Sequence, residues 1–330
     1  MRNVFLVGVV LALIGLGAWY FTSIPTIAAE ASEEEWASYI ASAGGADAYA
    51  RFTELVSPLP LSRQHELAHR FGGALYTAEN VSGLAACDNQ FSYGCFHEFL
   101  ARAIAEHGIA IINELSDRCA EKSGTELNCQ HGLGHGVLAS RGYTFEDIEA
   151  SLKNCDALNS PTPGGCFGGA FMEYNMRTML SGDEGVRPME ENVYDVCDAL
   201  PSRYTRACHY SLPQWWNAHL RAEERVSAYK KMGERCALLS GDARRSCFAG
   251  TGIEVVTDMR GSVEEGKAYC AAAGQGEDRA LCLALATQAF PPDDPRRSEL
   301  CSTLTGEQKV LCDTYGKDQE LVLTLQGFSI

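Results

Sequence analysis

The chain has 330 residues, 46% of them hydrophobic and 21% charged, the proportions of a globular rather than a disordered protein. Its 43 acidic residues against 27 basic ones give a formal net charge of -16, with no block of lysine or arginine anywhere. A partner recognised chiefly through phosphates requires a basic face, so nucleic-acid binding is excluded.

The first element is apolar. Val4 to Phe21 carries no charge over 18 residues, the length of a short membrane span. Trp19 and Tyr20 stand at its far end, where amphipathic rings favour the interface, and Arg2 stays on the cytoplasmic side. Residues 1–24 are therefore read as a membrane anchor. A signal peptide cleaved near Ala29-Glu30-Ala31 is the alternative. Both readings place the remainder outside the cytoplasm, in a periplasm or at the cell surface. Residues 25–60, with Glu33-Glu34-Glu35 and Ser57-Pro58-Leu59-Pro60, read as an acidic helical spacer and linker.

Residues 61–330 carry a repeat marked by cysteine. The 14 cysteines fall into consecutive pairs: Cys87 and Cys95, Cys119 and Cys129, Cys155 and Cys166, Cys197 and Cys208, Cys236 and Cys247, Cys270 and Cys282, Cys301 and Cys312. Successive first cysteines are 32, 36, 42, 39, 34 and 31 residues apart, the size of one helix-turn-helix unit. An even count in an exported chain predicts disulfides rather than metal clusters. Helix-start signals precede the second cysteine of several pairs. Ser123 with Glu126 and Thr305 with Gln308 have capping-box spacing, and Thr144-Phe145-Glu146-Asp147 starts a helix that reaches Cys155. The prediction is an all-α solenoid of about seven hairpins, each junction stapled by a disulfide from the end of one hairpin to the start of the next. The period is close to that of tetratricopeptide and Sel1-type repeats, whose internal consensus residues are absent.

Histidines follow the same frame. His97 stands two residues after Cys95, and His131 and His135 stand two and six after Cys129. Gln64-His65-Glu66-Leu67-Ala68-His69 aligns with Gln130-His131-Gly132-Leu133-Gly134-His135, with Arg63 in the cysteine slot. Five histidines thus occupy two equivalent positions in three successive first helices. Residues four apart share a helical face, so the spacing predicts that His65, His69, His97, His131 and His135 form one metal site, for one ion or two. Later repeats carry Gly168 and Met172, then Ala249 and Ile253, at these positions. Glu98 and Glu173 lie beside the site as carboxylate ligands or general bases. The bland reading leaves His107, His209 and His219 as surface or satisfied core residues. Gly132, Gly134 and Gly136 alternate around the histidines at a helix cost of roughly 3 kcal/mol. Close helix approach, room for a ligand, or a loop would each explain them.

His65-Glu66-Leu67-Ala68-His69 resembles the zinc metallopeptidase motif over about eight residues, Gly72 included. The resemblance implies His65 and His69 as zinc ligands and Glu66 as the catalytic base. It breaks at Leu75, where the longer motif has histidine, and the repeat equivalent of Glu66 is Gly132.

The sequence therefore points to an exported helical-repeat protein with a histidine-rich site for zinc, copper or iron, acting as a hydrolase or oxidoreductase. The alternative is an interaction scaffold that grips a protein or peptide on the repeat surface.

Overall fold

A computed structural model describes residues 26–121, 126–159, 164–177, 185–291 and 293–314. Among them the regular elements are all helical, as the cysteine period predicts. They fall into two compact units, one ending at Glu106 and the other beginning at His107. No helix among the described residues is long and apolar enough to cross a membrane. The anchor or signal peptide read over residues 1–24 lies outside them, as does the cap expected from Ser123.

The first unit holds α1 (Glu33–Ala43), α2 (Gly45–Val56), α3 (Leu61–Glu79) and α4 (Gly94–His107), whose last residue opens the second unit. Ser32 caps α1: its hydroxyl accepts from the Glu35 amide, and the Glu35 carboxylate accepts from the Ser32 amide. Glu33, Glu34 and Glu35 occupy the first turn, where the helix dipole favours negative charge. The stretch read as a spacer carries core. Trp36 of α1 and Phe52 of α2 are fully buried against Phe71 of α3, with ring centroids 4.7 to 5.5 Å apart. Each such ring removes apolar area from water worth about 2–3 kcal/mol.

The second unit runs through α5 (Ile112–Ala120), α6 (Glu126–Ala139), α7 (Phe145–Asp156), α8 (Cys166–Met176), α9 (Asp195–Ala199) and α10 (Thr205–His219). It continues with α11 (Arg225–Ala237), α12 (Gly241–Asp258), α13 (Val263–Ala273), α14 (Gly276–Ala286), α15 (Pro295–Leu300) and α16 (Gly306–Thr314). Helices α6, α8, α10, α12, α14 and α16 pack successively on one another, and α11, α13 and α15 form a second row. This is the hairpin stack in its simplest form. Thr144 starts α7 with the same reciprocal cap, through Asp147.

All seven disulfides form between the consecutive cysteines, and no free cysteine remains. Each ties the end of one hairpin to the start of the next; Cys155 in α7 bonded to Cys166 in α8 is an example. Closing loops of this length stabilises by about 3 kcal/mol each in the chain-entropy model. Bridges of this number belong to an oxidising, extracytoplasmic environment.

Candidate metal centre

His65 and His69 lie four residues apart on α3 and project from one face. His97 comes from α4, brought close because that helix runs almost backbone to backbone against α3. A Cβ at Gly72 would overlap the Cys95 carbonyl oxygen, and one at Gly94 would come to 2.8 Å from the His65 carbonyl oxygen. Nothing larger than glycine fits at Gly72 without moving a helix. The crossing builds the site.

The nitrogens converge. His65 Nε2 and His69 Nε2 are 3.1 Å apart, and the His97 ring centroid lies 5.9 Å from that of His65 and 5.4 Å from that of His69. One ligand nitrogen from each lies within 4.8 Å of the others, which makes this the three-residue metal-ligating group among the described residues. Two nitrogens bound to one tetrahedral ion at ~2.0–2.1 Å are about 3.3 Å apart, so the His65–His69 pair stands near coordination geometry.

The opposite ring atoms are held. His65 Nδ1 lies 2.9 Å from the Phe91 carbonyl oxygen, and His69 Nδ1 lies 3.8 Å from Glu98 Oε2. Phe91 and Tyr93 have φ of 54° and 66°, the left-handed region that non-glycine residues rarely enter. Packing of Phe91 on Phe52, centroids 5.4 Å apart, helps hold that turn and so presents the carbonyl to His65. Strain kept beside a functional candidate is a recurring pattern. Glu98 is fixed in turn by Arg102, Nε to Oε1 2.7 Å, which also reaches Glu33 at 2.9 Å. Orientation of a ligand imidazole by a carbonyl or carboxylate is the usual outer shell of a metal site.

Electrostatics agree. Burial, more than any neighbour, pushes the His65 imidazole below its ordinary range, with the Phe91 carbonyl opposing and His69 adding to the fall. A neutral ring keeps a lone pair for an ion. His69 and then Arg102 hold the Glu98 carboxyl below the usual carboxylate range, although burial opposes them.

Glu66 does not join this cluster. Its side chain is 58% exposed and is tied to Arg63 and, at 3.8 Å, to Arg70. Adjacent residues on a helix are about 100° apart, so His65 can face the cluster while Glu66 faces solvent. The base implied by the metallopeptidase resemblance is therefore directed to solvent, and Leu75, at the place of that motif's third histidine, is fully buried core. The carboxylate beside the histidines is Glu98.

Three of the five expected ligands thus come together in the first unit. The other two belong to the second unit and have partners of their own. On α6, His131 Nε2 and His135 Nε2 are 3.1 Å apart. His131 Nε2 also lies 3.4 Å from Met172 Sδ of α8, and His135 Nδ1 lies 2.8 Å from Glu173 Oε2. His135 and Glu173 are fully buried, and Glu173 Oε1 accepts a 2.6 Å hydrogen bond from the Tyr143 hydroxyl. Burial, with the nearby His135 as a lesser cause, pushes the His131 imidazole down to about 3. Here again glycine permits the crossing: a Cβ at Gly134 would overlap the Cys166 carbonyl oxygen, and one at Gly169 the His131 carbonyl oxygen. Sequence reasoning passed over Met172 because it was sought only as a missing histidine. Its signal was the slot it fills, six residues after Cys166.

His209 and His219 each meet a backbone carbonyl and stand outside both histidine clusters. His209 Nδ1 lies 2.7 Å from the Thr205 carbonyl oxygen one turn back, and His219 Nε2 lies 2.8 Å from the Arg187 carbonyl oxygen. His107 is exposed at the end of α4. Comparison with known proteins found no family model, curated protein or solved structure that matches the chain.

Proposed function

We propose that the chain is an extracytoplasmic metal-binding protein in which His65, His69 and His97 hold one divalent transition-metal ion, zinc in the first instance. The observation that carries this reading is the convergence of three imidazole nitrogens within 4.8 Å. Their outer atoms add support, since His65 is turned by the Phe91 carbonyl and His69 faces Glu98. An all-nitrogen donor set suits borderline ions, with zinc, copper and iron all compatible. Three protein ligands leave a tetrahedral ion one open position, the count of catalytic rather than closed structural sites. The ion would supply Lewis acidity there, and Glu98 would hold the orientation of His69. Hydrolysis is the chemistry that a zinc ion in this setting serves best.

The full chain, purified without an affinity tag and titrated with zinc(II), should bind an equivalent that is lost in His97→Gln. Glu98→Ala should weaken zinc binding by about 10–100-fold, the usual effect of removing an outer-shell partner, whereas Glu66→Gln should leave it unchanged. Zinc binding unaffected by His97→Gln, or a melting temperature that neither zinc nor chelator moves, overturns this reading and leaves the interaction scaffold ahead.

A further inference from the structure

We infer that His131, His135 and Met172 form a second metal site, selective for a soft monovalent cation of the cuprous type. The donor set sets it apart. The two imidazole Nε2 atoms are 3.1 Å apart, and a thioether sulfur lies 3.4 Å from that of His131. A nitrogen at ~2.0 Å and a sulfur at ~2.3 Å from one ion stand about 3.5 Å apart at a tetrahedral angle, so these two edges match coordination by one ion. Thioether sulfur favours soft cuprous copper over the hard divalent ions. No thiolate competes, because every cysteine is in a disulfide.

The surroundings are built rather than accidental. Glu173, fully buried, accepts from His135 Nδ1 at 2.8 Å, which leaves His135 Nε2 with a lone pair turned towards His131. Tyr143 fixes the other carboxylate oxygen at 2.6 Å. Gly168 stands where the earlier repeats carry histidine. A Cβ there would come to 3.3 Å from His131 Nδ1, so the glycine leaves that ring its room. His131 and Met172 also line a cavity of about 200 Å³ within the second unit, together with Leu127, Tyr210 and Glu254, which gives an ion a way in.

Both sites use one plan. A histidine pair, two and six residues after the cysteine slot of a first helix, is completed by the next first helix. In the first unit that helix supplies His97 and Glu98; in the second it supplies Met172 and Glu173. Duplication kept the pair, and the completing residues set the ion.

The test is anaerobic titration of the full chain with copper(I) supplied as its acetonitrile complex, in competition with the colorimetric chelator bicinchoninate. The variant His65→Ala/His69→Ala/His97→Gln should still take up one equivalent of copper(I), so the first site neither supplies nor hides the second. Met172→Leu, close in volume, should weaken copper(I) binding at least tenfold while zinc(II) uptake at the first site is unchanged. Copper-edge absorption should show a sulfur neighbour that disappears in the same variant. Glu173→Gln, which can still accept from His135 Nδ1, should bind better than Glu173→Ala. Copper(I) affinity that is unaltered by both Met172→Leu and His131→Asn, or a copper spectrum without sulfur, overturns the proposal.

Discussion

Glu254 is a carboxyl whose charge the fold opposes. It lies on α12, where burial pushes its pKa from 4.5 up to about 7, partly offset by a 2.7 Å hydrogen bond from Asn217 Nδ2. The folded state therefore holds a proton that the unfolded state releases near 4.5. The stability this confers is full below 4.5 and is lost as pH rises towards 7, at no more than about 1.4 kcal/mol per unit. In chelator, to keep metal linkage out, Glu254→Gln should match the parent near pH 4.5 and be the more stable of the two at pH 8 by denaturant melts. Equal pH slopes would sink the argument. No pattern in the sequence marks Glu254, because its pKa is made by what packs around it. The histidine pairs were legible for the opposite reason: four-residue spacing fixes a shared face before any tertiary contact exists. Glu66 misled because a motif written along the chain ignores helix phase. Its neighbour His65 turns towards His97, while Glu66 itself meets Arg63 and Arg70 in solvent.

At the scale of elements, the crossing of α6 with α8 decides what the second histidine pair can meet. Gly134 and Gly169 let the two backbones touch, and only at that separation does Met172 Sδ reach His131 Nε2. Gly169→Ala puts a methyl group into the His131 carbonyl, a backbone atom that cannot rotate away. Overpacking of this kind costs about 1–3 kcal/mol, sometimes more. The denaturation midpoint should fall accordingly, and copper(I) uptake should fall with it, while zinc(II) uptake at the first site stays intact. An unchanged midpoint would show that the helices have slack. The alternating glycines were visible in the sequence, but whether they marked a loop, a ligand space or a crossing was not. All three glycines, Gly132, Gly134 and Gly136, are buried within the helix, and Gly134 is packed against α8, which spacing does not encode. The disulfides are the contrary case. Pairs 8 to 12 residues apart along a period in the thirties leave one natural pairing, and the chain adopts it.

For the whole molecule, the repeat carries a consequence for where each ion acts. The cysteine spacing runs on past residue 107 without a break, yet the chain separates there into two compact units. Each unit holds one histidine pair with its completing helix: His65, His69 and His97 in the first, His131, His135 and Met172 in the second. An ion that binds only the folded site stabilises it by about 4 kcal/mol at a thousandfold excess over its dissociation constant. Local opening that breaks the site must then overcome that amount as well, whereas opening elsewhere need not. Hydrogen exchange should report the difference. Zinc(II) should slow exchange of the amides of α3 and α4, and copper(I) those of α6 and α8, each leaving the other pair near its metal-free rate. Protection spread alike over both pairs by either ion would mean that the histidines act as one site. A pattern that exchanged the two ions would mean that donor softness does not govern the choice. Selective protection in the expected order requires both conditions at once: separate sites, and a thioether that discriminates between the metals.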